Sequence, residues 1–302
     1  MGSFIMRGLM RQRHILFLLI SALLLSVVTL AEPVQINRAE LKLNGNLIAA
    51  EDKQQTAFLI LHGTWAHAAM ELPATLQALL DEEGYTSLAI TLSLGINDRQ
   101  GFFDCKSPVV QGQEAAIDEL HAWYLSLREQ GYSKVVLIAH SRGGAQAALY
   151  QQRYPQDSLT ALVLIAPMTW QQGVEVKAYH DKYGVNLSEL LAQAEQYRQA
   201  GKALFTPPAI LYCENTAVSP HAFISYYSVK PQKNTPTLLA DTPIPTIVYL
   251  GSEDPLSLRF AKQQGLFINN KNITVVNIDG AGHFFRDLYA DELIEDLLPR
   301  LP

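Results

Sequence analysis

Lys134-Val135-Val136-Leu137-Ile138 runs directly into Ala139-His140-Ser141-Arg142-Gly143, and this join decides how the chain is read. The apolar run predicts a buried parallel strand. Gly144-Ala145-Gln146-Ala147-Ala148-Leu149-Tyr150 predicts a helix immediately after it. A serine with small residues two positions to either side, where a strand turns sharply into a helix, is the pattern of a nucleophile elbow. The turn strains the serine backbone and leaves no room for a large side chain at 139 or 143. Ala139 stands where a glycine is usual and is still small enough. Pentapeptides of this kind occur by chance, so the strand before and the helix after carry the specificity.

A serine hydroxyl is a poor nucleophile at neutral pH. It needs a general base within hydrogen-bond reach, and that base needs an acid to orient it. Two later strand exits supply candidates. Pro245 to Leu250 predicts a buried strand, followed by the turn Gly251-Ser252-Glu253-Asp254-Pro255. Asp254 is the better acid there, with Glu253 beside it. Ile273 to Ile278 predicts a last strand, and Asp279-Gly280-Ala281-Gly282-His283 leaves it, making His283 the base. All three residues fall at carboxyl ends of strands, where open α/β sheets bind ligands. Upstream, the strand Ala57 to Leu61 runs into His62-Gly63-Thr64-Trp65. Such a loop can place one backbone N–H toward a developing oxyanion, and the residue after the nucleophile places another. These donors are assigned to Thr64 and Arg142, with Trp65 as the alternative to Thr64.

Leu61-His62-Gly63, the elbow at 139–143, Gly251 to Asp254 and Gly280 to His283 occur together in this order. On those motifs the chain resembles the α/β-hydrolase superfamily, in its esterase, lipase and serine-aminopeptidase-like branch. The resemblance covers the chain from about residue 55 to its end, interrupted by one insertion. It implies a mostly parallel central sheet with helices on both faces, and a Ser-Asp-His triad at Ser141, Asp254 and His283. It specifies no substrate.

The remaining candidates have plainer readings. His62 and His67 miss the i, i+4 spacing that puts two ligands on one helix face, so no metal is expected. His140 reads as a packed, hydrogen-bonded histidine beside the elbow. The Arg142 side chain reads as reaching out to solvent, with contact to an anionic part of a substrate as the alternative.

At 302 residues and 48% hydrophobic content the chain can bury a large core as one domain. Residues 1–31 are set apart: Arg7, Arg11 and Arg13 precede the uncharged apolar run Ile15 to Leu30, and Thr29-Leu30-Ala31 suits cleavage. A signal peptide is expected, with an uncleaved N-terminal anchor as the alternative. Either way the domain over 32–302 is expected to be exported, periplasmic or secreted, with no stable membrane association once the leader is cleaved. Removing the leader takes away three arginines and no acid, so the formal charge of −6 becomes three units more negative. That argues against nucleic-acid partners. The only two cysteines, Cys105 and Cys213, are expected to form a disulfide in an oxidising compartment, stapling the mouth of the site.

Along the chain, Val34 to Ala50 reads as a leading hairpin around Asn44-Gly45. Helices over about Glu71 to Glu83 and Gln113 to Arg128, a strand from Ser87 and another over Leu159 to Ile165 complete an alternating pattern. The segment 168–241 is too long for a connection and is expected to be a cap insertion. It is helical over Leu187 to Ala203 and rich in tyrosine; most of those tyrosines are expected to be structural and one or two to meet substrate. The expected activity is hydrolysis of a small-molecule carboxylic ester through an acyl-enzyme, without metal or organic cofactor. A peptidase, an amidase, an acyltransferase with the same triad and a non-catalytic binding protein on the same fold remain open.

Overall fold

The computed structural model describes residues 31–50, 56–228 and 233–302. The predicted leader lies outside these residues, apart from Ala31. Among the described residues no helix is long and apolar enough to cross a membrane.

Eight strands form the central sheet: β1 (Glu32–Arg38), β2 (Leu41–Ile48), β3 (Thr56–Leu61), β4 (Thr86–Thr91), β5 (Lys134–His140), β6 (Leu159–Ile165), β9 (Thr246–Gly251) and β10 (Ile273–Ile278). Their spatial order is β1-β2-β4-β3-β5-β6-β9-β10. β2 is antiparallel to both β1 and β4, and every pairing from β4 through β10 is parallel. The short strands β7 (Ala209–Ile210) and β8 (Cys213–Glu214) pair separately.

The central strands read as unbroken apolar runs because both faces are covered. Their side chains still alternate. Leu59, Leu61 and Leu137 point to a core shared with α2 (Glu114–Glu129) and α3 (Arg142–Arg153), where Trp123 and Tyr150 are buried. Phe58, Ile60, Val136 and Ile138 point the other way, against α1 (Glu71–Glu82) and α9 (Leu288–Leu297) through Leu76, Leu80, Leu293 and Leu297.

The leading hairpin exists, but its turn is not at Asn44-Gly45. The chain reverses at Ala39-Glu40, where Arg38 pairs with Leu41 and Ala39 takes a left-handed φ of 50°. Asn44 and Gly45 lie within β2 for a packing reason. A Cβ at Gly45 would come within 3.0 Å of Leu88 and 3.1 Å of the Ala89 carbonyl. The Asn44 amide donates to Asp98 and to the Arg99 carbonyl, each at 3.0 Å.

Between β6 and β9 lie α4 (Gln172–Tyr183), α5 (Leu187–Gln199), α6 (Pro220–Tyr227) and α7 (Thr235–Leu239), and α8 (Pro255–Ala261) follows β9. Cys105 and Cys213 form a disulfide that ties the loop before α2 to this segment. Several of its tyrosines are internal ties: Tyr179 Oη donates to the Ala209 carbonyl at 2.9 Å, and Tyr227 Oη accepts from Leu211 N–H at 2.7 Å.

Candidate active site

β5 ends at His140, and Ser141 turns the chain into α3 with φ 56° and ψ −118°. A non-glycine residue in this region is strained and persists only where its surroundings hold it. Ser141 N–H donates to the Ile165 carbonyl at 2.9 Å, and its carbonyl accepts from Met168 N–H at 2.9 Å. A Cβ at Gly143 would collide with the His62 carbonyl and meet Leu61 Cγ at 3.0 Å. The small residue two positions past the serine is therefore required by the approach of the β3 exit.

The structure brings the three strand-exit residues together. His283 Nε2 lies 3.0 Å from Ser141 Oγ, and His283 Nδ1 lies 3.1 Å from Asp254 Oδ2. Asp254 is buried and caps α8, with Pro255 at the first helical position. Its Oδ1 accepts from Leu256 N–H at 3.0 Å. Its Oδ2 accepts from Ser257 N–H at 3.0 Å and from Ser257 Oγ at 2.7 Å. Burial pushes its carboxyl up, but the bonds from His283 and Ser257 outweigh this and hold it at about 2. Glu253 is exposed and Asp279 faces Ser252, so neither takes this place. Sequence reading did not single out Ser257; its signal is the run Asp254-Pro255-Leu256-Ser257, a helix start with a hydroxyl in its first turn.

His140 Nε2 donates to the His283 carbonyl at 2.8 Å, and the two rings are 4.8 Å apart. Burial and the neighbouring His283 lower His140 to about 4. His62 Nδ1 donates to the Gly63 carbonyl at 2.7 Å while Nε2 accepts from Leu92 N–H at 3.1 Å, which sets one neutral tautomer. Burial and Arg99 lower it to about 3. Arg99, which sequence reading also passed over, donates to the carbonyls of Leu92 and Ala66 and so joins two loops beneath the site.

These two neutral histidines have a consequence for stability. Burial holds both well below the ordinary histidine value of about 6.5. The unfolded chain therefore binds more protons than the folded one as pH falls from about 6.5, and stability drops on acidification. At about 1.4 kcal/mol per pH unit for each group, urea unfolding is expected to show a loss of about 4 kcal/mol between pH 7 and pH 5. An unchanged unfolding free energy would show that the histidines titrate alike in both states.

The Arg142 side chain does not reach solvent. It is only 6% exposed, which overturns the expectation of an outward-reaching arginine. Its guanidinium lies 5.2 Å from the Trp170 ring and 5.4 Å from the Tyr226 ring, and Nε donates to Thr64 Oγ1 at 3.0 Å. The two residues assigned as oxyanion donors are thus linked directly. Trp65 is buried, with its ring 4.7 Å from Phe103.

Beside Ser141 lies a cavity of about 230 Å³, lined by Met70, Leu72, Pro73, Phe102, Tyr212 and Phe284 together with His140 and His283. Phe102 is 57% exposed, Phe284 49% and Tyr212 70%, so these rings face the opening rather than the core.

A model described as "Alpha/beta hydrolase family" matches residues 58–296. No curated protein matches the chain. Among solved structures it is similar to Est1E from Butyrivibrio proteoclasticus, with a TM-score of 0.60 and 14% identity over 88% of this chain and 98% of that one. A monoacylglycerol lipase from Paleococcus ferrophilus gives a TM-score of 0.60 at 14% identity, over 85% and 97% of the two chains. The alpha/beta hydrolase GrgF from Penicillium sp. sh18 gives 0.62 at 17% identity, over 89% and 96%. At such identities these likenesses establish the fold alone. The family match spans most of the sequence, and the chain belongs to the alpha/beta hydrolase family.

Proposed function

We propose that the protein is a serine hydrolase cleaving carboxylic esters of small molecules, with Ser141 as nucleophile, His283 as base and Asp254 as orienting acid. The observation that carries this reading is the unbroken path from Asp254 Oδ2 through both nitrogens of His283 to Ser141 Oγ, in steps of 3.1 and 3.0 Å. Asp254, held ionised, keeps the proton of the neutral imidazole on Nδ1 and leaves Nε2 free to accept. His283 takes the Ser141 proton as Oγ bonds to the ester carbonyl carbon. The carbonyl oxygen becomes an oxyanion facing the backbone N–H groups of Thr64 and Arg142. His283 then gives the proton to the leaving alcohol as the C–O bond breaks. A water, deprotonated by the same imidazole, attacks the acyl-enzyme, and the carboxylic acid leaves with Ser141 restored.

The first cavity is lined mostly by apolar and aromatic side chains, and its two charged ones, Glu71 and Arg286, pair with each other at 2.9 Å, so it suits an uncharged hydrocarbon or aromatic arm of the substrate. Structural likeness to a monoacylglycerol lipase agrees with this class. Residues 168–241 are proposed as the cap that closes over the site. Export by the leader at 1–31 is proposed as well, and the Cys105–Cys213 bridge is compatible with an oxidising compartment.

The test is a ladder of p-nitrophenyl esters run beside fluorophosphonate labelling across pH. Turnover and labelling are expected together, with an acid limb of one proton. Asp254, His62 and His140 are held at about 2, 3 and 4, below the range assayed. A flat profile between roughly pH 5 and 8 would remove His283 as the base. Labelling without turnover of any ester would move the reading to amides.

A further inference from the structure

A second cavity, of about 250 Å³, also reaches Ser141. It shares Thr64, Ser141 and Tyr212 with the first, but its wall differs. Arg142, Lys182 and Arg259 line it, with Glu175 as the one acidic group among the described lining residues. Lys182 pairs with Glu214 at 3.6 Å at the surface. Arg259 is exposed, and Arg142 is buried.

The partners of the Arg142 guanidinium are all neutral: Thr64 Oγ1, the faces of Trp170 and Tyr226, and Gln113 Oε1 at 3.5 Å. Among the described residues, no carboxylate forms an ion pair with it. Removing a charge from water without a counter-charge is unfavourable. The oxyanion donor at this position does not account for it, because any residue but proline supplies the same backbone N–H. A guanidinium with no direct ion-pair partner therefore stands buried beside Ser141, with Glu175 of the same wall acting on it only at longer range, on a cavity large enough for a short chain.

We propose that this cavity binds a carboxylate carried by the substrate, so that the preferred ester has one apolar arm, in the first cavity, and one arm ending in an anion against Arg142. This rests on the esterase reading above. A guanidinium presents a planar fork that matches a carboxylate with two parallel hydrogen bonds. Lys182 and Arg259 add attraction along the entrance. Glu175 lies within electrostatic reach of both Arg142 and Arg259, but burial raises its carboxyl, which weakens its opposition to an anion there.

The experiment compares two matched pairs of esters on the full-length protein. The acyl-arm pair is p-nitrophenyl hemiglutarate and p-nitrophenyl hexanoate. The alcohol-arm pair is the butyrates of 4-hydroxybenzoate and 4-hydroxybenzamide. In one pair kcat/KM for the anion is expected to exceed that of the neutral ester by about 10-fold or more. Arg142→Gln is expected to cut that ratio by about 10-fold, and Arg142→Lys to keep part of it. The neutral ester measured on each variant is the reference, so a merely structural role for Arg142 would lower both members and leave the ratio unmoved. Arg259→Gln, at an exposed position, gives a second variant with a smaller, salt-dependent fall in the ratio. Neutral esters turned over with no preference for either anion would overturn the proposal. Turnover of no ester at all would overturn the esterase reading and this proposal with it.

Discussion

Ser141→Ala is expected to lower ester turnover by about 10⁴- to 10⁶-fold and to abolish fluorophosphonate labelling. The substitution removes one oxygen at a site held by backbone bonds to Ile165 and Met168, so the fold persists and the loss is chemical. His283→Ala is expected to cost a comparable factor. Because nucleophile and base act as one unit, the double variant Ser141→Ala/His283→Ala should be little worse than either alone. Circular dichroism of each variant checks that the sheet is intact. Turnover within 10-fold of the unsubstituted protein in Ser141→Ala would exclude this serine as the nucleophile.

The second large effect concerns stability. The Cys105–Cys213 bridge spans a sequence separation of 108 residues. In the chain-entropy account a loop of about 100 residues gives about 4.7 kcal/mol of stabilisation, and native bridges are commonly worth about 2–5 kcal/mol. Cys105→Ala/Cys213→Ala is therefore expected to lose at least about 2 kcal/mol in urea unfolding, as is the unsubstituted protein under a strong thiol reductant. The double variant avoids leaving a lone thiol at Cys213, which is fully buried. Tyr212, next to Cys213, lines both cavities, so KM for bulky esters should rise along with the loss of stability. A change below about 0.5 kcal/mol would show that hydrogen bonds alone hold the segment, such as that from Val109 N–H to the Ala217 carbonyl.

The sheet was legible because its central strands are buried on both faces and so appear as continuous apolar runs such as Val135 to Ile138. The places of Ser141, Asp254 and His283 were legible for the same reason: each follows such a run. The hairpin turn was misread because Asn-Gly is a strong turn signal locally. At Gly45 the deciding contacts, with Leu88 and Trp123, come from distant segments. Arg142 was misread in the same way. An arginine's long stem usually carries its charge to water, and only the packing of Trp170 and Tyr226 around it prevents that here. The two cavities were legible only through the tyrosine-rich proposed cap, whose Tyr179, Tyr183, Tyr212 and Tyr227 line the second; the rest of their walls comes from the loop after β3, from α1 and α4, and from the loops at Phe102 and Phe284.

The order of the three strand exits also constrains how the molecule comes into being. The proposed nucleophile sits at residue 141, at the end of a central strand, whereas its proposed base sits at 283, beyond β10 at the far edge of the sheet. A chain synthesised as far as β9 carries the elbow and no imidazole to activate it. On the proposed mechanism the site is complete only when the last strand docks beside β9, in the register that places Ile278 opposite Gly251. Recovery of turnover during refolding therefore times the arrival of that final edge strand, and a nascent or C-terminally clipped molecule is silent without any inhibitor to restrain it.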